Sequence, residues 1–69
     1  MSQKSPRQPS HRLTFNEAIE VWLLYWDGWF QNRIAAKFDV NPGRISEVIH
    51  HELHPGSYDK ALEVRGNAA

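Results

Sequence analysis

The sequence predicts an all-α fold: a three-helix domain with a short fourth helix. Three observations lead there. No stretch alternates apolar and polar residues as a half-buried strand would. Apolar residues instead recur three and four positions apart in successive stretches of the chain. Each stretch is bounded by residues that start or stop helices: a capping box, an Asp-Gly, an Asn-Pro-Gly.

Residues 1–12, "MSQKSPRQPSHR", are Ser, Pro, Gln and basic residues without periodicity. They read as a disordered basic arm, and they lack the apolar run of a secretory signal. The first helix is expected over about 15–26. Thr14 and Glu17 have the spacing at which each side chain closes a free backbone N–H of the first turn. Phe15, Ile19, Trp22 and Trp26 recur at helical spacing, and Gly28 suits the left-handed stop. In "WFQNRIAAKF" the helical set is Phe30, Ile34, Ala35 and Phe38, ending at Asp39. Asn41 then precedes Pro42. Asn is a favoured N-cap, and Pro is favoured at the first helical position, where its missing N–H costs nothing. "NPG" therefore starts the third helix, over about 42–52, with Ile45, Val48 and Ile49 inward. "HPG" ends it, and Ser57 caps a short fourth helix at about 58–64 with Tyr58, Ala61 and Leu62 packing back. The folded domain is expected over 13–64, with a frayed tail at 65–69.

Length and composition narrow the function. A 69-residue chain buries only about 60% of its unfolded surface, and its three Trp, three Phe and two Tyr compensate with large buried areas. Helical spacing makes Trp22, Trp26, Trp29, Phe30 and Phe38 core residues. The absence of cysteine rules out disulfides and Cys-based zinc patterns and fits a reducing compartment. The longest apolar run, "VWLLYW", is far short of the ~20 residues that span a bilayer. Net charge is zero, but the signs are segregated. Residues 1–16 carry +3, 17–30 carry −3, 31–46 carry +2 and 47–69 carry −2. One basic and one acidic face are the expectation.

Two short helices joined by a tight turn, the second starting bluntly, have the form of a helix-turn-helix. The stretch "QNRIAAKFDVNPGRISEVIH" (31–50) resembles the helix-turn-helix of small bacterial and phage regulators and of resolvase and invertase C-terminal domains. Ile34 and Ala35 supply the pair in which a small residue lets the second helix pack close. Phe38 and Val40 flank the turn, and Ile45 and Val48 point inward. Two departures stand out. Asp39 occupies the slot usually held by Gly, though Asp enters the left-handed region more readily than most residues. Phe30 stands where a Ser or Thr cap is common, which moves the expected start of the second helix toward Asp27.

The resemblance implies duplex DNA as partner, with the third helix in the major groove. On the wheel of that helix, Gly43, Ser46, Glu47, His50 and His54 lie opposite the apolar stripe, with Arg44 and His51 on its flank. Arg44, Ser46, Glu47, Gly43 and His50 are the expected base-reading set. Arg44 suits guanine or phosphate. Glu47 either accepts from cytosine N4 or pairs within the helix with Arg44 or His51. Gln31, Asn32, Lys37, Asn41, His51, Arg12 and Arg7 are the expected phosphate contacts, the two arm arginines through the minor groove. Imidazoles near phosphate would make affinity rise as pH falls. "HHELH" at 50–54 is not the HExxH order and has no third ligand, so no metal and no cofactor are expected.

Val21, Leu24 and Tyr25 share the far side of the first helix with Glu17 and Glu20. An apolar strip there predicts a homodimer interface, or a protein partner for an antitoxin-like or inhibitor module. No nucleophile–base pair, phosphate loop or metal cluster points to an enzyme. The expectation is a dimeric, sequence-specific regulator of transcription or of a mobile element, cytoplasmic and associated with the nucleoid.

Overall fold

The structure, a computed structural model, describes residues 12–68. Four α-helices and no strands occur among them: α1 (Phe15–Trp26), α2 (Gln31–Phe38), α3 (Pro42–Ile49) and α4 (Gly56–Ala68). Of the predicted arm, Lys4 and Arg7 lie outside the described residues, and Arg12 lies within them. No helix among the described residues is long and apolar enough to cross a membrane.

The capping box at the head of α1 is formed. Thr14 Oγ1 accepts from the Glu17 amide at 3.1 Å, and Glu17 Oε1 accepts from the Thr14 amide at 2.9 Å. Two donors that the helix cannot satisfy internally are thereby closed. Leu13, just outside the cap, and Ala18, one turn inside, are both buried, the positions of a hydrophobic staple. At α3, Asn41 Oδ1 accepts from the Gly43 amide at 2.7 Å, with Pro42 in the first turn. The "NPG" start is thus built as its residues dictate. α2 starts at Gln31, later than the departure at Phe30 suggested. Phe30 occupies its N-cap without a side-chain bond.

One device ends α1, α2 and α3. In each case an amide donates to a carbonyl five positions earlier: Trp29 to Leu24 at 3.1 Å, Val40 to Ala35 at 3.0 Å, Glu52 to Glu47 at 2.8 Å. Closing that loop needs a left-handed residue. The three are Gly28 (φ 98°), Asp39 (φ 56°) and His51 (φ 63°). The first two follow from the sequence. The third does not, and it stops α3 at Ile49 instead of residue 52. His51 reaches this conformation with its ring 5.4 Å from that of Trp22 and 5.2 Å from that of Tyr58.

α4 packs along α1, α2 packs on α3, and α1 touches both α2 and α3. Ile34, Ile45, Val21 and Val48 are fully buried at the centre. α4 runs well beyond the expected 58–64 and through the expected frayed tail as far as Ala68. Ser57 is not its cap. It lies inside the helix, fully buried, and accepts the Trp22 Nε1–H at 3.1 Å.

Two expectations about apolar residues are corrected. The buried stripe of α1 is Ala18, Val21 and Trp22, and Phe15 is 42% exposed. Val21 has no exposed surface and Leu24 packs half-buried on the core. The predicted dimer surface of Val21, Leu24 and Tyr25 is therefore mostly interior, with only Tyr25 outside. The reason is that α1 is covered from more than one side: Trp22 and Trp26 meet Ser57 and Tyr58 of α4, while α2 and α3 also pack on α1. Conversely, Trp29 and Phe30 are 41% and 74% exposed. They sit in the connection between α1 and α2, where helical spacing does not govern which way a side chain points.

Candidate nucleic-acid interface

α3 is braced from behind. Ile45 and Val48 are 0% and 1% exposed, so rotation of the helix about its axis would expose both. Its outer face then carries Gly43, Arg44 and His50, exposed, and Ser46 and Glu47, half-buried. All five predicted base-reading residues lie on this one eight-residue helix or at its C-cap.

Their polar groups are partnered locally. Arg44 Nη1 lies 3.0 Å from Glu47 Oε1, with the side chains 49% and 34% exposed. Of the two open roles for Glu47, the free protein shows the pair with Arg44. A surface ion pair of this kind contributes at most about 1 kcal/mol, so either group can exchange it for a better partner. His50 Nδ1 is 2.8 Å from the Ser46 carbonyl and 3.2 Å from Ser46 Oγ. In the neutral ring the hydrogen sits on Nδ1 and donates to that carbonyl, which leaves Nε2 as an acceptor.

Gly43 has a local reason as well as the expected clearance. A Cβ there would stand 3.1 Å from Asn41 Oδ1, crowding the cap that starts the helix. Asn41 spends its carboxamide oxygen on that cap, so a phosphate contact from Asn41 falls to its amide hydrogens. Among the α2 residues, Gln31 is half-buried while Asn32 and Lys37 are exposed. Lys37 Nζ stands 5.7 Å from the Phe38 ring centroid.

Two expectations for the histidine run, those for His51 and His54, need correction. His51 leaves the helix face and joins the ring cluster of Trp22 and Tyr58. His54 lies beyond the end of α3, where Nε2–H donates to the Leu13 carbonyl at 2.8 Å and the ring meets Phe15 edge-on. No group of three or more His, Cys, Asp or Glu that could hold a metal occurs among the described residues.

That His54–Leu13 bond fastens the segment before α1 to the loop after α3. A cleft of about 540 Å³ results, lined by Arg12, Leu13, Thr14, Arg44, Leu53 and His54. Arg12 and Arg44 thus line one hollow although 32 positions separate them. Sequence reasoning placed both arginines in separate roles and missed the wall between them. The local signal was Leu13, whose position beside the capping box marks it as packed.

The acidic face expected on α1 is reduced in the structure. Glu17 serves the cap, and Asp27 Oδ1 accepts from Arg65 Nη2 at 3.2 Å. Compared with known protein families, with curated proteins and with solved structures, the chain gives no match.

Proposed function

We propose that α2, the turn at Asp39–Asn41 and α3 form a helix-turn-helix, and that the protein binds duplex DNA with α3 in the major groove. The carrying observation is the bluntly capped α3, braced by the buried Ile45 and Val48, with Gly43, Arg44 and His50 exposed on its outer side. Such a helix suits a groove about 12 Å wide. Ser46, Glu47 and the free Nε2 of His50 offer hydrogen-bond groups to base edges, and Arg44 supplies positive charge. Glu47, once released by Arg44, accepts from a cytosine amino group, a contact worth about 1–3 kcal/mol of discrimination when well formed. A role in the regulation of transcription or of a mobile element is the function that goes with this reading.

Selection of bound sequences from random duplexes tests it. A recovered consensus is expected, and an inverted repeat in it would add two-fold symmetry to the assembly. Absence of enrichment, together with affinity that does not fall steeply with salt, overturns the DNA reading.

A second reading rests on a different surface from the one expected on α1. Trp29 and Phe30, with Gly28 and Arg33, surround a hollow of about 370 Å³. Exposed aromatics beside an arginine have the composition of a protein-contact hot spot. Under this reading, Phe30→Ala abolishes a protein complex and leaves DNA affinity unchanged.

A further inference from the structure

We propose that the cleft between the start of α1 and the start of α3 is a phosphate site, in which Arg12 and Arg44 grip one group of the nucleic-acid backbone. The proposal rests on the DNA reading and sharpens it, because it removes Arg44 from base recognition and assigns it to positioning.

The chemistry of the lining carries the argument. Arg12 and Arg44 both line a hollow of about 540 Å³, and no Asp or Glu is among the described residues that line it. Guanidinium forks match phosphate oxygens in a paired geometry, which makes arginine the side chain of choice for this ligand. Thr14 adds a hydroxyl. Its oxygen already accepts from the Glu17 amide, so its own hydrogen remains to donate into the cleft. Leu13 and Leu53 add apolar surface to the lining.

The site is also fixed in position. Leu13 is 4% exposed and its carbonyl accepts from His54, so Arg12 is tethered at the edge of α3. Two carboxylates stand nearby among the described residues: Glu17 accepts from the Thr14 amide at 2.9 Å, and Glu47 holds Arg44 at 3.0 Å in the free protein. Phosphate binding therefore draws Arg44 away from Glu47, which frees that carboxylate for a base edge. Backbone grip and base readout become one event.

Affinity measured against salt for the wild type, Arg12→Gln, Arg44→Gln and the double variant tests this. Each single change should weaken all duplex sequences alike, by roughly tenfold, and reduce the salt slope by about 1. The double variant should lose less than the product of the two single losses, because both groups serve one phosphate. Unchanged affinity and slope in Arg12→Gln overturns the cleft while leaving DNA binding intact. Relaxed specificity at a single base pair in Arg44→Gln also overturns it, since that is the signature of a base contact. If the wild type binds no duplex, titration with inorganic phosphate followed by the amide signals of Leu13, Thr14 and His54 decides separately. Saturable shifts absent from Arg12→Gln sustain a site for free phosphate, and their absence in the wild type overturns it.

Discussion

The α1–α4 side of the molecule and the outer face of α3 use polar groups in opposite ways. Between α1 and α4, polar contacts cross from element to element. The Trp22 indole donates to the buried Ser57 hydroxyl, and Arg65 reaches from α4 to Asp27. On α3, the side-chain contacts among the described residues stay within one helical turn: Arg44 with Glu47, His50 with Ser46. Cross-element bonds define the tertiary structure, whereas local ones contribute a few tenths of a kcal/mol to one helix. The fold therefore does not need the polar face of α3. In a chain this small, that separation marks which residues are held by folding and which are free to serve a partner.

The largest effect should come from the first region. Trp22 is 4% exposed and its ring lies 5.7, 4.9 and 5.4 Å from Trp26, Tyr58 and His51. Trp22→Ala removes this hub and strands the Ser57 hydroxyl. A loss of about 3–5 kcal/mol is expected, comparable to the whole stability of a domain of this size. Circular dichroism should show a largely unfolded chain at 37 °C. A cooperative transition within a few degrees of the wild type would break the comparison, because the α1–α4 side would then not be what holds the fold.

A pair of smaller changes separates helix stops set by the local chain from those set by packing. Asp39 carries an acid and a left-handed backbone at the C-terminus of α2, both unfavourable there. Asp39→Gly relieves both and should raise stability by roughly 1 kcal/mol. His51→Gly gains the same backbone freedom but loses the ring contacts to Trp22 and Tyr58. It should therefore be neutral or destabilising in urea denaturation. Equal stabilisation by both would mean that the His51 ring contributes nothing.

This contrast also explains what could be read from the sequence. The starts of α1 and α3 were legible because their causes are local: Thr14 with Glu17, and Asn41 with Pro42. The stop at Asp39 was legible for the same reason. The stop at His51 was not, since nothing within five residues requires it and its ring partners lie on α1 and α4. Val21 was misassigned because a helix covered on two sides has no single apolar stripe, and α4 was itself underestimated. Its outer positions mix Leu62 and Val64 with Lys60 and Glu63, so no clear periodicity marks its length. The set on α3 was legible as a face, whereas the Arg12–Arg44 cleft depends on the bond from His54 to Leu13, 41 positions away in sequence.

The smallest effect on the fold should be the most informative about the site. Glu47→Gln keeps the shape of the side chain and removes one negative charge from the outer face of α3. Stability should change by no more than about 0.5 kcal/mol, the scale of an exposed pair one turn apart. Binding should respond much more. A carboxylate facing a duplex repels phosphate, and in the free protein it also occupies Arg44. Without it, affinity for duplexes of arbitrary sequence should rise several-fold, while the preference for the selected sequence falls because a cytosine contact is lost. Affinity for non-target duplexes is the deciding measurement. If it does not move, Glu47 does not face the DNA, and the outer face of α3 loses its assignment as the interface. If stability falls by several kcal/mol instead, the polar residues of α3 hold the fold as those between α1 and α4 do, and the division between the two regions fails.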